Sequence, residues 1–220
     1  MTASGGHLLT DDRIREALAP YGATPDATVC HAIRAYTDLL LRWNQRVSLT
    51  TVTSPEEILR FHFGESVFAA STVLIQNGRL ADFGSGAGFP GLPLALFAPA
   101  LDVSLIESNT KKAAFLLEVQ RILQLHNVRV LRGRAEDLSS TEAGFDFVTA
   151  RAIGRFRELL AWAAPRLNSN GNLVLWLGED DARDVSKSSD WIWLPPTRIP
   201  GTERRSLLVG SRSSAGPKSR

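Results

Sequence analysis

The apolar positions of this chain follow two different rhythms. In the first third they step by three and four residues, as on one face of a helix. Val29, Ile33, Tyr36, Leu40, Trp43 and Val47 form the longest such stripe, in a helix capped by Thr24 with Pro25 as its first residue. Before it, Thr10 caps a short helix that buries Ile14, Ala17 and Leu18 and stops at Pro20 and Gly22. Ser54-Pro55-Glu56-Glu57 then reads as a capping box with proline in the first position. Ile58, Phe61, His62 and Glu65 share one face of the helix it opens. From Arg79 onward short apolar runs alternate with helical stretches. The runs predict strands at Leu80–Phe83, Val103–Glu107, Val128–Leu131, Phe145–Ala150, Leu173–Leu177, Trp191–Leu194 and Ser206–Val209. Helices are expected at Leu92–Phe97, Thr110–Leu125, Phe156–Leu167 and Asp180–Ser186. Strands separated by helices predict parallel βαβ units, and the last two strands, joined without a helix, are expected to be antiparallel. The division expected is a flexible start (1–9), an N-terminal helical region (10–76), an α/β domain (77–210) and a basic flexible tail (211–220).

Composition narrows the class. A chain of 220 residues with 44% apolar content can bury one sizeable core, or a core with a small appendage. Cys30 is the only cysteine, which excludes an internal disulfide and a Cys-rich zinc site and fits a reducing compartment. No apolar run approaches the roughly 20 residues of a membrane helix. The start, MTASGGHLLTDDR, lacks the basic and apolar regions of a signal peptide. A soluble cytoplasmic protein with no membrane partner is expected. The net charge of +2 is modest, so affinity for nucleic acid must come from where the charges sit. Arg198, Arg204, Arg205, Arg212, Lys218 and Arg220 face a single acid, Glu203, near the end of the chain. They form either a solvated end or a phosphate-contacting edge.

The chemistry concentrates at Leu80–Leu94, LADFGSGAGFPGLPL. A strand, four glycines (Gly84, Gly86, Gly88, Gly91) and a helix make the first unit of a nucleotide-binding fold. Gly86, Gly88 and Gly91 satisfy the dinucleotide spacing G-x-G-x-x-G, which leaves a nicotinamide-dependent oxidoreductase as an alternative. Two features favour a cation instead. Asp82 is expected at the loop entrance, where it would repel an anion, and Pro90 and Pro93 remove phosphate-binding N–H groups. S-adenosylmethionine, with a sulfonium and an ammonium group, suits such a loop. Glu107, nineteen positions after Gly88, stands where an acid at the tip of a second strand accepts ribose hydroxyls. It could equally cap the helix that begins near Asn109. The ends of the third and fourth strands bring Arg134, Ala135, Glu136, Asp137 and Arg151 to the same edge of the sheet. His62 with Glu65 reads either as a functional pair or as a satisfied buried contact, and is too small a set for a metal.

DFGSGAGFPGLPLA, followed by IESNTKKAAFL, resembles the bacterial small-subunit ribosomal RNA guanine-N7 methyltransferases, the glucose-inhibited division protein B family. WNQRVSLT resembles that family's W-N-x-x-x-N-L-T segment and HFGES its H-x-x-D-S segment, and the likeness extends through about Tyr36–Val209. It implies a seven-stranded class I S-adenosylmethionine-dependent methyltransferase fold, Rossmann-like, with a small N-terminal helical extension. It implies S-adenosylmethionine as cofactor, held by Asp82, Gly84, Ser85, Gly86, Gly88, Phe89, Glu107, Ser108 and Arg151, with adenine at Ala135 and Glu136. The implied reaction is methylation of N7 of a guanosine in small-subunit (16S) ribosomal RNA near the decoding centre. The partner is that RNA or the 30S particle, and a monomer is expected. N7 carries a lone pair and no proton, so positioning suffices without a general base. Arg151 and His62 are then positioners. Three departures bear on this: Ser48 stands for an asparagine, Glu65 for an aspartate, and Leu177 where a lysine precedes the glycine. Ser48 and the missing lysine keep a non-catalytic RNA-binding assembly factor on the same fold as a second alternative.

Overall fold

A computed structural model describes residues 9–138 and 142–213. The basic positions Lys218 and Arg220 therefore lie outside the described residues. Five parallel strands carry the α/β part: β1 (Asn77–Phe83), β2 (Ala100–Glu107), β3 (Val128–Arg132), β4 (Phe145–Arg151) and β5 (Leu167–Gly178). Three more follow, β6 (Trp191–Trp193), β7 (Thr197–Arg198) and β8 (Arg205–Arg212), all antiparallel partners of β8 or β8 itself. The order is β3-β2-β1-β4-β5-β8-β6, with β7 also on β8 and β8 antiparallel to β5. The expected seven strands are present, and the two-residue β7 adds an eighth. The order reverses beside β1, and a ligand crevice in open α/β sheets forms outside the strand ends at such a switch point.

The strands alternate their faces. Leu80, Val103, Leu105, Val174 and Trp176 join one core; Ala81, Phe83, Ile106, Leu173, Leu175 and Leu177 join the other. The first core also takes in the N-terminal helices α1 (Asp11–Leu18) and α2 (Ala27–Asn44) through Ile14, Leu18, Ile33, Tyr36 and Leu40. The helical extension thus packs on the sheet as part of one continuous layer. Leu9, expected in a flexible start, is buried in that layer, and Ser211 and Arg212, expected in a flexible tail, extend β8.

Local signals account for most helix boundaries. Thr10 accepts the Arg13 N–H as cap of α1. Helix α2 starts two residues later than expected because Asp26, not Thr24, supplies the capping oxygen, accepting the Val29 N–H at 2.8 Å. The third helix runs in three pieces: α3 (Pro55–Glu57), a π-helical stretch (Ile58–Gly64) and α4 (Glu65–Thr72). The extra residue of a π turn rotates one segment against the next, and such turns gather at functional sites. Helices α5 (Gly91–Phe97) and α6 (Thr110–Ile122) lie on the face of α2, and Trp43 Nε1 donates to Glu118 at 2.8 Å to tie α2 to α6. Helices α7 (Phe156–Ala163) and α8 (Glu179–Val185) cover the opposite face.

Candidate active site

Between β1 and α5 the glycine loop turns its own amides inward. Ser85 N–H donates to the Ile106 carbonyl (3.0 Å), Gly86 N–H to Glu107 Oε2 (2.8 Å) and Gly88 N–H to the Ser85 carbonyl (2.7 Å). Gly91 N–H, at the start of α5, donates to Asp82 Oδ2 (3.3 Å). Asp82 therefore does not stand at the loop entrance, as the sequence suggested. Its carboxyl is fully buried, accepts from Thr149 Oγ1 at 2.8 Å as well, and is pushed up to about 6 by burial. It ties β1, β4 and α5 together from below, and it withdraws a helix-start donor that a phosphate would otherwise use. Gly88 is likewise a packing residue. With φ at +91°, it faces Leu92 and the Tyr36 hydroxyl, where a Cβ would clash. Tyr36 also donates to the Ala87 carbonyl and stacks on Phe89 with ring centres 5.2 Å apart, so α2 holds the loop directly.

Glu107 does not cap α6 itself but braces both the residue that does and the glycine loop. Oε1 accepts the Asn109 N–H (2.7 Å) and Oε2 the Gly86 N–H (2.8 Å), while Asn109 caps α6 by accepting from Lys111 and Lys112. Each carboxylate oxygen retains a lone pair for another donor. Ser108 beside it is exposed. Ala135 is buried and its carbonyl accepts Trp162 Nε1 at 2.7 Å, while Glu136 pairs with Arg155 at 3.7 Å. Neither lines the main cavity.

That cavity, about 600 Å³, opens at the carboxyl ends of β1, β4 and β5. Gly84, Ser85, Gly86 and Phe89 line it from the glycine loop, with His62 stacked on Phe89, and Glu65, Arg151, Trp176 and Arg205 line it as well. Of the residues singled out in the sequence, the structure thus gathers Gly84, Ser85, Gly86, Phe89, His62 and Arg151, with Glu107 bound to the loop behind them. The side chain of Asp82, together with Gly88, Ser108, Ala135 and Glu136, stands away from it.

His62 and Glu65 do meet, through Arg151 at the tip of β4. Arg151 Nη2 donates to the Phe61 carbonyl (2.6 Å), lies 3.1 Å from Glu65 Oε2 and 3.4 Å from His62 Nδ1. Facing a guanidinium, Nδ1 is the acceptor nitrogen, so Nε2 carries the proton and donates to Thr50 Oγ1 at 2.7 Å. The ring stacks on Phe89 at 4.6 Å, and burial, reinforced by Arg151, lowers its pKa to about 4. The imidazole is neutral at pH 7. Because the folded value lies below the ordinary 6.5, protonation favours the unfolded chain, so stability is complete above 6.5 and is lost as pH falls towards 4. His62→Gln should therefore lose about 3 kcal/mol less than the wild type between pH 7 and pH 4. Parallel stability curves from urea unfolding would contradict this.

Sequence reasoning did not place the residues that complete the cavity. Ser48 to Val52 line it because Asn44 accepts from the Leu49 and Thr50 amides and donates to the Thr50 carbonyl, folding that segment over the mouth. WNQRVSLT carried that signal, in an asparagine followed by small polar residues. Leu177, at the position of the absent lysine, is buried. A cation reaches the same level of the sheet from β8: Arg205 is the register partner of Gly178, next to Leu177.

The family model of rRNA small subunit methyltransferase G matches residues 29–194. A ribosomal RNA small subunit methyltransferase G from Desulfitobacterium hafniense is 40% identical over 194 residues, covering 83% of this chain and 80% of that protein. One from Lactococcus lactis subsp. cremoris is 38% identical over 223 residues, covering 96% and 94%. Among solved structures, a ribosomal protein L11 methylase from Lactobacillus delbrueckii subsp. bulgaricus shares the fold, with a TM-score of 0.57 at 14% identity over 70% of this chain and 79% of that one. The class I methyltransferase sheet, the loop braced by Glu107 and this extent of likeness agree: the chain belongs to the rRNA small subunit methyltransferase G family.

Proposed function

We propose that this chain methylates N7 of a guanosine in small-subunit ribosomal RNA near the decoding centre. Family membership makes it an S-adenosylmethionine-dependent methyltransferase of that RNA; the nitrogen and the residue roles are our reading. One observation carries the choice of cofactor. Four amides of the glycine loop and the α5 start are committed to Ile106, Glu107, Ser85 and Asp82, so the loop offers few donors to a pyrophosphate. Glu107 keeps acceptor capacity for ribose hydroxyls. Both features fit S-adenosylmethionine and speak against a nicotinamide dinucleotide.

When bound, S-adenosylmethionine supplies a methyl group on a sulfonium that a neutral ring nitrogen can displace. The protein's share is to bind, orient and exclude water. Glu107 takes the ribose; Gly84, Ser85, Gly86 and Phe89 line the path; Asp82 and Gly88 hold the loop from behind. Ala135, Glu136 and Ser108, like Glu107, do not line the main cavity, and having no link to the glycine loop of the kind Glu107 makes they are assigned a lesser share. His62 has both nitrogens engaged and a pKa near 4, so it is no general base and shapes the cavity wall. Arg151 lines the cavity with a buried Nη1 that has no hydrogen-bond partner, a donor suited to guanine O6.

Arg151→Ala is expected to cut turnover about 100-fold while cofactor affinity stays within about twofold. Normal turnover together with normal RNA affinity would remove Arg151 from the site. Among the described residues no helix is long and apolar enough to cross a membrane. We place the protein in the cytoplasm, as a monomer acting on the RNA or the 30S particle. Calorimetry with adenosylhomocysteine and with NADH tests the cofactor assignment. Micromolar binding of the first alone is expected; binding of NADH alone would reverse it.

A further inference from the structure

We propose that Glu65 is the positioning residue of the substrate side: it sets Arg151 and Arg205 as a two-pronged receptor for one unstacked nucleotide. This rests on the reading that the cavity receives an RNA guanosine. The Glu65 side chain is 1% exposed and sits between two cations from strands far apart in the chain. Oε1 accepts from Arg205 Nη1 at 2.7 Å, and Oε2 lies 3.1 Å from Arg151 Nη2. Its own backbone is fixed as well, because Trp176 Nε1 donates to the Glu65 carbonyl at 2.6 Å. Arg151 Nη2 donates to the Phe61 carbonyl and lies 3.1 Å from Glu65 Oε2, which accepts no hydrogen bond, and the buried Nη1 remains an unpaired donor. Arg205 is different. Its side chain is 52% exposed and lines the cavity, with Nη1 tethered to Glu65.

The inner donor suits a carbonyl oxygen on a base edge, and the outer cation suits the adjoining phosphate. A base can reach the inner one only after leaving its stack. The rings of Phe89 and His62, stacked on each other, form the apolar wall it would enter along. Glu65 thus acts through two arginines without touching the substrate. The chain also solves the absence of a lysine at Leu177 in this way, by tethering a cation from β8 at the same level.

A double-mutant cycle tests this on the full-length protein with ribosomal particles as substrate. Arg205→Ala should lower kcat/KM for RNA about 10-fold in the wild-type background and less than about threefold in Glu65→Gln, where Arg205 is no longer placed. Glu65→Gln alone should lower kcat about 100-fold at unchanged cofactor affinity, and Glu65→Asp, which keeps the charge, should recover about 10-fold of that loss. If Glu65→Gln does not fold, as judged by melting and cofactor calorimetry, the same cycle run with Glu65→Asp should still show the coupling. Losses that simply multiply, or Glu65→Gln with wild-type kcat/KM, overturn the proposal alone. A wild-type protein that binds cofactor yet methylates no small-subunit RNA overturns the function reading, and this inference with it.

Discussion

Replacing Glu107 with alanine is expected to weaken S-adenosylmethionine binding at least about 100-fold. The carboxylate is buried at the tip of β2, held by the Gly86 and Asn109 amides at 2.8 and 2.7 Å. Charge-assisted hydrogen bonds contribute about 1.5–3 kcal/mol each. Two of them to ribose hydroxyls come to about 3–6 kcal/mol, and every 1.4 kcal/mol is about tenfold in affinity. The loss has a second source, because Gly86 N–H would lose its acceptor and the loop its link to β2. Glu107→Gln separates the two. It keeps one acceptor oxygen but must turn an NH2 group towards one of the amides, so it should fall between wild type and Glu107→Ala. Calorimetry on the three proteins checks this; affinity within about threefold of wild type in Glu107→Ala would exclude the ribose assignment.

The second large effect is on the fold. Gly88→Ala should destabilise the protein by about 3 kcal/mol or more, from overpacking and a strained backbone together. The added Cβ would stand inside contact distance of Leu92 and 2.6 Å from the Tyr36 hydroxyl, at φ +91°. Tyr36 is fully buried and cannot retreat without breaking its bond to the Ala87 carbonyl. For a chain of this size the melting temperature should drop by about 6–12 °C. Gly86→Ala is the control. Its Cβ would meet nothing closer than the Gly84 carbonyl at 3.8 Å, so its stability cost should stay near 1 kcal/mol. Gly86 lines the cavity, however, and its loss should appear in cofactor affinity. Equal melting temperatures for the two variants would contradict this division of the glycines.

Much of the fold was legible because its strands are buried on both faces and interrupted by capped helices. β7 was not, since two polar residues make no pattern, and the early part of β5, LNSNGN, is polar as well. The π stretch was also hidden, because one inserted residue leaves the apolar spacing of Ile58, Phe61 and His62 unchanged over so short a span. In the candidate site, Gly84, Gly86, Glu107 and Arg151 could be read from spacing and from their place at strand ends, and His62 from the helix face it shares with Glu65. The orientation of Asp82 was open to the same reasoning and was missed. It lies two residues after Leu80, so its side chain shares the Leu80 face and points under α5 instead of out of the sheet edge. The tether between Glu65 and Arg205 joins residues 140 positions apart, a contact that local pattern cannot announce.

The most direct test is nucleoside mass spectrometry of small-subunit RNA incubated, as particle and as naked RNA, with the purified protein and labelled S-adenosylmethionine. Label is expected in 7-methylguanosine, at one site, and is expected to be lost with Glu107→Ala. Label in another nucleoside, or none with cofactor bound, would contradict the proposed function.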